Sequence, residues 1–486
     1  MIDQRPKAPP RLVMLISFGG TSVLNYGFSL IMGWLLLPGD FGWLAFAQAV
    51  ILVAGLVLQQ GFTWSLARAV ANADGPDRDA LVRGALVANL VLAITMGSIV
   101  AGLFAAGPLR PGLETGAVAA IVALSFLFIS LAATARGCAQ GSERFGMVAA
   151  LQVAEILCKV LGGTTLVLLG FGATGAVAGF LLGGLAATAL GLYFLVYKLG
   201  VRLRGNIELP AIRLAGPMFV ALLGLSLLLN LDLIALKLFT EARTPVGYYQ
   251  AGLVLANAPY YLVTVSFVQV LFVRLARLGD LAATRRAVGE TLSMVVTLVL
   301  PIEVVFMIVP EQALLALFPD AYASGASALR LLAIGNALLI LAAVLSAAFQ
   351  AVGRARVPAL VLLAVVLPES LVLWMIVPAR GTTGAASVFA TAAAIALIAL
   401  GMVYLREAGL ETFRRVAAWL FRYAAAIGVG AAVGSVTFGL GLGVNPAILV
   451  GVACYVASLI FLRLIDPLAL LGQRPLLGRP LASNGE

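Results

Sequence analysis

The sequence predicts an all-α integral membrane protein with about fourteen transmembrane helices. Of its 486 residues, 62% are hydrophobic and only 11% are charged, whereas charged residues make up about 25% of an average soluble protein. Apolar runs of about 20 residues, the length that crosses a bilayer, recur along the whole chain. Lysine and arginine are concentrated in every second segment between these runs, which is typical of a chain that crosses a membrane repeatedly.

The predicted spans follow the apolar runs in order. The first run comes directly after a short basic N-terminus and is too long for the apolar core of a signal peptide, so we expect it to be retained. The connecting segments are short and leave no room for a soluble domain. The fourteen spans cover residues 11–37, 41–70, 81–107, 116–137, 146–170, 174–198, 210–239, 247–275, 286–310, 325–351, 357–378, 384–405, 413–437 and 446–465.

The distribution of basic residues predicts the orientation of the spans. With the N-terminus on the cytoplasmic side, 25 of the 31 lysine and arginine residues fall in cytoplasmic segments or at the adjacent span ends. Three fall in outer loops and three lie within spans. Because cytoplasmic loops of membrane proteins carry an excess of these residues, we expect both termini in the cytoplasm.

An internal repeat predicts two lobes of six helices. FGWLAFAQA at residues 41–49 resembles VGYYQAGLV at residues 246–254, and AQGSERF at residues 139–145 resembles FQAVGRARV at residues 349–357. The separation of 205 to 210 residues equals six spans, an even number that preserves orientation. This predicts parallel repeats about a pseudo-twofold axis normal to the membrane, an architecture typical of transporters.

The repeat also predicts the domain limits. We expect an N-terminal lobe at residues 1–205, a C-terminal lobe at residues 206–408, two extra helices at residues 409–466 and a cytoplasmic tail at residues 467–486.

The composition argues against several classes of protein. There is no histidine, and the three cysteines have no metal-binding spacing, so we expect neither a metal site nor a structural disulfide. The chain lacks a phosphate-binding GxxxxGK[ST] loop and any catalytic motif, so we expect no enzyme. The net charge of +10 does not indicate nucleic-acid binding, because the basic residues are spread between apolar spans.

Charged side chains within spans five and seven are candidate functional residues, since a charge in a bilayer is costly. Glu155 and Lys159 lie four residues apart on one helix face, which predicts either a structural ion pair or a lysine facing an anionic substrate. Span seven carries Asn230, Asp232 and Lys237. Asp232 has no cation three or four residues away, so we expect it to face another helix, a cavity or an ion. Lys237 lies near the outer end, where it either extends to the interface or lines a cavity.

Further charged residues lie in spans nine to eleven. Glu369 directly follows Pro368, and Glu303 follows Pro301 by two residues. Proline removes a helical hydrogen bond and frees a carbonyl group, so a carboxylate beside it is a candidate cation or proton site. Arg330 lies about one turn inside span ten, where it either reaches lipid phosphate or lines a cavity.

Four segments carry a resemblance to a known family. They are LLLPGDFGWLAFAQA at residues 35–49, QQGFTWSLAR at residues 59–68, NLDLIALKLFTEARTPVGYYQAGLV at residues 230–254 and FQAVGRARVP at residues 349–358. In these segments and in its topology, the chain resembles the Wzx-like polysaccharide and O-antigen flippases of the multidrug/oligosaccharidyl-lipid/polysaccharide (MOP) exporter superfamily. The most specific part is the aspartate of span seven followed by the outer loop and GYYQA.

The resemblance implies a multi-pass protein of the bacterial cytoplasmic (inner) membrane that works by alternating access. Its substrate would be a polyprenyl diphosphate carrying an oligosaccharide, moved from the inner to the outer leaflet for assembly of exopolysaccharide, O-antigen or capsule. It implies no cofactor, a Na⁺ or H⁺ gradient as driving force, and membrane lipids and a polysaccharide polymerase as partners. The candidate residues are Lys159, Lys237 and Arg330 for the diphosphate and Asp232, Glu369 and Asn230 for ion coupling.

Three alternatives remain open at this point. A multidrug or organic-cation antiporter of the same superfamily has twelve spans and fewer buried basic residues. A lipid II flippase has fourteen spans and more cavity arginines than this chain offers. A membrane-embedded glycosyltransferase or polymerase belongs to a different class, and we expect large outer loops in such an enzyme.

Overall fold

The protein is described from a computed structural model in which the secondary structure of the described residues is helical. It describes residues 10–71, 73, 75–106, 113–208, 216–240, 242–261, 268, 271, 275, 281–408, 410–441, 444–462 and 464. The predicted cytoplasmic tail at residues 467–486 lies outside these residues. This all-α architecture confirms the predicted fold class.

The helices follow one another with short connections. In chain order they are α1 (Pro10–Leu35), α2 (Pro38–Val70), α3 (Gly75–Ala106), α4 (Leu113–Gly141), α5 (Phe145–Leu166), α6 (Gly172–Tyr193), α7 (Pro217–Leu228), α8 (Leu231–Phe239), α9 (Thr244–Pro259), α10 (Leu281–Ile308), α11 (Pro310–Leu317), α12 (Ala326–Ala351), α13 (Arg356–Ala408), α14 (Leu410–Gly439) and α15 (Val444–Phe461). Short π-helical turns follow α5 and α6, and a 3₁₀ helix precedes α12.

Among the described residues, seven helical stretches are long and apolar enough to cross a membrane, and there are eight if the bent pair α7 and α8 forms one span. Two of the seven, residues 145–198 and 356–406, contain 54 and 51 residues. Because a span needs about 20 residues, each of these stretches has the length of two spans. In order, the helices fall on the predicted spans, with the second half of span eight mostly outside the described residues.

Glycines divide both of these long stretches. Gly172 has φ 52° and ψ −140°, and Gly381 has φ 53° and ψ −133°. An L-residue with a side chain rarely adopts such a conformation, so glycine is required to turn the chain between spans five and six and between spans eleven and twelve. The two glycines are 209 residues apart and share one backbone conformation, as expected for an internal repeat.

A second pair of turns supports the same repeat. In the first, Glu143 has φ 55° and the Arg144 N–H donates to the Ala139 carbonyl at 2.8 Å. In the second, Gly353 has φ 80° and the Arg354 N–H donates to the Phe349 carbonyl at 2.8 Å. These turns lie in the AQGSERF and FQAVGRARV segments, so the weak sequence match corresponds to a match in backbone hydrogen bonding.

The chain divides into two compact units by packing. Unit 1 contains residues 1–250 and 374–381, and unit 2 contains residues 251–373 and 382–486. In unit 1, a core of buried side chains from α2, α3, α4 and α5 surrounds Leu66, Cys138 and Leu151. In unit 2, α10 packs against α14 and α15 around Val296, Tyr423 and Tyr455. This division at residue 250 follows packing, and the lobe limits derived from the repeat stay a prediction.

Candidate functional site

The predicted span seven is a broken helix. α7 ends at Leu228 and α8 begins at Leu231, and the two helix axes are bent by 48°. Asn230 lies at the break, where its side-chain amide donates to the Ser226 carbonyl at 2.8 Å. A broken membrane helix exposes backbone groups that must be satisfied elsewhere, and such breaks form ion and substrate sites in transporters. The amide of Asn230 satisfies one of the carbonyl groups at this break.

Asp232 lies in the first turn of α8 and is completely buried. One carboxylate oxygen accepts a hydrogen bond from the Tyr249 hydroxyl of α9. The other accepts the Leu233 N–H at 2.8 Å. The N-terminus of a helix favours negative charge, which gives a physical reason for an acid at this position. No lysine or arginine among the described residues forms an ion pair with Asp232.

Lys237 and Arg243 share one aromatic ring. The Lys237 Nζ lies 5.3 Å from the centroid of the Trp43 ring, and the Arg243 Cζ lies 5.2 Å from it. Trp43 and Lys237 are both buried. The negative face of an indole ring attracts cations and stabilises them where water is excluded. The predicted cationic residue of span seven is therefore held by an aromatic group from the start of α2.

The starts of α2 and α9 cross at two glycines that occupy equivalent positions in the repeat. A Cβ atom on Gly42 would lie 2.6 Å from the Gly247 backbone nitrogen. A Cβ atom on Gly247 would lie 1.7 Å from the Pro38 carbonyl oxygen. Both positions require glycine because backbone atoms occupy the space of a side chain. This crossing places the Trp43 ring beside α8, where Lys237 lies.

Lys159 of α5 lies in an aromatic cage. Its side chain is buried, and the Nζ lies 4.3 Å from the Phe180 ring centroid and 4.8 Å from that of Phe28. The Nζ also donates a hydrogen bond to the Asn25 side-chain oxygen of α1. Asn25 itself is exposed. Three helices, α1, α5 and α6, therefore position one ammonium group, whose hydrogen-bond and ring partners are neutral.

The two alternatives for Glu155 and Lys159 stay predictions, and the structure adds a further partner for Glu155. Glu155 accepts a charge-assisted hydrogen bond from Arg136 of α4, with which it forms an ion pair. An arginine on a neighbouring helix can present its planar donors directly to a carboxylate, whereas Lys159 extends toward Phe28 and Phe180. Glu155 thus belongs to a contact between α4 and α5, and its charge also acts on Lys159 through space.

The other predicted residues lie in unit 2. Arg330 is exposed, and its Nε donates to the Met307 carbonyl at 3.0 Å, one of the last carbonyl groups of α10. A cation at the C-terminus of a helix satisfies such carbonyls, so this contact assigns Arg330 a capping role and offers no support for binding a diphosphate. Glu369 is buried in α13 directly after Pro368.

Sequence reasoning found Asp232, Lys159 and Lys237 but missed their partners. Tyr249 lies within the GYYQA segment, and nothing in this segment indicates that the Tyr249 hydroxyl donates to Asp232. Trp43 lies in the equivalent repeat segment. No signal in the sequence places Asn25 beside Lys159, because the two residues are brought together only by the packing of α1 on α5.

The arrangement in unit 1 combines a buried acid with two buried cations. Both hydrogen-bond partners of Asp232 are neutral and leave the negative charge of its carboxylate uncompensated. The carboxylate oxygens can therefore bind a proton or a small cation. Lys159 has a charge that an anionic group can neutralise. Separate anion and cation sites are what a transporter requires if it couples an anionic substrate to a cation gradient.

Comparisons with known proteins identify the fold and the family. The protein resembles the inward closed conformation of the lipid II flippase MurJ at 14% identity over 92% of this chain and 98% of that chain, with a TM-score of 0.73. It resembles an inward-facing multidrug resistance MATE family transporter of the MOP superfamily at 17% identity over 78% of this chain and 92% of that chain, with a TM-score of 0.60. Comparison with curated protein sequences gives no match.

These distant structural similarities support the fold alone. The family assignment comes from a family profile. The profile described as "Polysaccharide biosynthesis protein" matches residues 31–327, which is more than half of the chain and includes Lys159, Asp232 and Tyr249. The fold similarity extends over nearly the whole chain and supports a multi-pass membrane protein. On this basis the chain belongs to the polysaccharide biosynthesis protein family and has the fold of the MOP superfamily.

Proposed function

We propose that this protein is a flippase of the bacterial cytoplasmic membrane. It moves a polyprenyl-diphosphate-linked oligosaccharide from the inner to the outer leaflet, driven by a Na⁺ or H⁺ gradient. A diphosphate with sugars cannot enter hydrocarbon without large desolvation costs. A groove that supplies cations replaces part of the lost hydration while the polyprenyl tail remains in lipid.

The observation that carries this proposal is the setting of Asp232. A completely buried carboxylate with only neutral donors is costly unless it binds a proton or a cation. Its position at the break of α7 and α8 adds backbone groups that can rearrange when the cation leaves. A coupling ion can drive transport only if it binds the two conformations differently, and we propose that the angle between α7 and α8 differs between them.

Lys159 supplies the complementary charge for the substrate. Its Nζ contacts neutral partners, and its amide partner Asn25 is exposed. An incoming phosphate group would gain a charge-assisted hydrogen bond that no described acid already takes. Lys237 remains a second candidate, whereas the helix-capping contact of Arg330 does not favour its proposed role.

The test is a leaflet-accessibility assay in proteoliposomes with the full chain and a lipid-linked oligosaccharide. We expect gradient-dependent flipping in the wild type and a loss of about tenfold or more in Asp232→Asn, corresponding to at least about 1.4 kcal/mol. We expect Lys159→Met to weaken substrate binding. Asp77→Asn and Lys198→Met are matched controls, because both side chains are exposed.

Other results would assign another function. Gradient-driven efflux of organic cations without flipping would identify an antiporter. Flipping of lipid II in preference to other lipid-linked sugars would identify a lipid II flippase. Incorporation of sugar into polymer by the purified chain would identify an enzyme. Full flipping by Asp232→Asn would refute the role given to that residue.

A further inference from the structure

The segment after α6 folds back along the start of α3. Its described part is residues 199–208, which we name the return loop. The Glu208 N–H donates to the Ala80 carbonyl at 3.1 Å, and the Arg202 N–H donates to the Asp79 carboxylate at 3.0 Å. Both acceptors belong to the first turns of α3. The return loop therefore lies beside the end of a predicted span.

One buried arginine of α3 holds the backbone of the return loop. The Arg83 Nε donates to the Asn206 carbonyl at 2.7 Å. Its Nη1 donates to the Arg202 carbonyl and, at 3.4 Å, to the Arg204 carbonyl. A Cβ atom on Gly205 would lie 3.1 Å from the Arg83 Nη2, so the guanidinium group packs directly on the loop. Because peptide groups near hydrocarbon need partners, these bonds allow the loop to lie at the membrane interface.

The return loop buries one side and exposes the other. Val201 is buried in the core of unit 1, together with Phe194 and Leu195. Leu203 and Ile207 are instead 49% and 57% exposed. A loop whose backbone is fixed therefore presents two large aliphatic side chains outward. Such side chains beside cations are typical of a segment that lies in the interface of a membrane.

Two tyrosines indicate the level of the membrane interface next to this loop. Tyr193 is the last residue of α6, and Tyr197 lies in the π-helical turn that follows. Their ring centroids are 5.3 Å apart, and Tyr197 is 76% exposed. Tyrosine is enriched where hydrocarbon meets the lipid headgroups. The return loop begins two residues after Tyr197 and therefore starts at the headgroup level.

Exposed cations surround the aliphatic side chains. They are Lys198, Arg202 and Arg204. The side chains of these three residues form no ion pair in the part of the chain that the structure describes. Arg144 of the turn before α5 is also exposed, and its Nη1 donates to the Lys198 carbonyl at 3.5 Å. Long basic side chains can bind headgroup phosphates while their stems lie on apolar surface.

The acids of these elements do not neutralise the cations of the return loop. Asp79 is buried, where it pairs with Arg78 at 3.5 Å and accepts the Arg202 N–H. The exposed acids are Asp77, Glu143 and Glu208. Six cations stand against these four acids, namely Arg78, Arg83, Arg144, Lys198, Arg202 and Arg204. The excess of positive charge complements an anionic lipid surface.

We propose that the return loop is a docking surface for the headgroups of anionic phospholipids. Leu203 and Ile207 enter the membrane interface, and the cations around them bind the lipid phosphates. Arg83 is a positioning residue, because it fixes the loop backbone from a buried position. The leaflet is the cytoplasmic one in the predicted orientation. Lipid binding can be measured without transport, so it does not rest on the proposed function.

The test is native mass spectrometry of the purified full chain, titrated with phosphatidylglycerol or with phosphatidylcholine. We expect the wild type to retain phosphatidylglycerol in preference. This preference should fall at least about fivefold, the factor for one cation near an anionic surface, in the triple variant Lys198→Gln, Arg202→Gln and Arg204→Gln. The matched control removes three exposed cations on the same predicted side and should keep the preference. It combines Arg354→Gln, Arg356→Gln and Arg406→Gln.

A second variant tests the positioning role. Arg83→Lys keeps the charge but lacks the planar group that holds three loop carbonyls. We expect it to lower the preference for phosphatidylglycerol, whereas a purely structural role would lower the unfolding temperature and leave the preference unchanged. If Arg83→Lys does not fold, the triple variant decides the question, because its three side chains are exposed.

The other outcomes would overturn the proposal. An equal loss in the triple variant and its control would show that the preference follows net charge alone. Displacement of the lipid by inorganic phosphate would assign the cations to a free anion. Equal retention of both lipids by the wild type would leave this face to a protein partner. A preference for phosphatidylglycerol in a protein that flips no lipid-linked oligosaccharide would refute the proposed function alone.

Discussion

Gly247→Ala tests the crossing of α2 and α9 most directly. The new Cβ atom would lie 1.7 Å from the Pro38 carbonyl oxygen, 2.5 Å from the Pro38 carbonyl carbon and 2.9 Å from its Cα atom. All three are backbone atoms, so no side-chain rotation can relieve the clash. A normal contact between these atoms requires more than 3 Å, so α9 must move by more than an ångström relative to α2.

This displacement sets the magnitude of the effect. Overpacking a well-packed site usually costs about 1–3 kcal/mol, and a clash with backbone belongs at the upper end of this range. The shift also separates α9 from α8, where Tyr249 donates to Asp232. Loss of a buried hydrogen bond to a charged group costs about 1.5–3 kcal/mol. We therefore expect a lower unfolding temperature together with slower gradient-driven flipping.

The assay is thermal unfolding of the full chain in lipid nanodiscs, followed by the flipping assay on the same preparation. Gly102→Ala is the matched control, since Gly102 lies within α3 and has nothing within 4 Å of its Cβ position. We expect this control to be neutral or stabilising by about 0.5–1 kcal/mol. An unfolding temperature for Gly247→Ala equal to that of the control would refute the crossing.

Two further predictions concern ion pairs and turns. Arg136→Gln should lower the free energy of unfolding by about 1–3 kcal/mol, because it leaves the partly buried Glu155 without its arginine partner. The control Arg286→Gln breaks an exposed ion pair and should lower the free energy of unfolding by less than about 0.5 kcal/mol. Equal effects would contradict this assignment. Gly381→Ala should lower the unfolding temperature, since an L-residue at φ 53° and ψ −133° costs about 1–3 kcal/mol; Gly401→Ala, with open space at its Cβ position, should not.

The fold was largely predictable because the bilayer imposes simple rules on a sequence. A span must be about 20 apolar residues long, and the helices fall on the predicted spans. The repeat was visible only as short fragments, yet the turns at Glu143 and Gly353 share their backbone hydrogen bonds. Turn geometry depends on few residues, so two short and weakly matching segments were sufficient to predict the repeat.

The partners of the candidate residues were not predictable for a different physical reason. Spacing along one helix placed Glu155 and Lys159 on one face and left open an ion pair or a lysine facing a substrate, but a long side chain of a neighbouring helix can also reach Glu155. Arg136 does so, and its contact with Glu155 depends on the packing of α4 on α5. The contact of Tyr249 with Asp232 likewise depends on the angle at which α8 meets α9. The sequence pattern of a single helix does not predict the angle between two helices.

The structure separates two kinds of charge within the spans. Arg136 and Glu155 neutralise each other, so their burial is compensated and their presence follows from packing alone. Asp232 and Glu303 form no ion pair among the described residues, and the direct contacts of the Lys159 Nζ are with neutral groups. Packing gains nothing from such groups, because an apolar side chain of similar size would avoid the desolvation cost. The proposed function would account for the retention of Asp232 and Lys159 through ligands that neutralise them, a cation for the acid and an anion for the lysine.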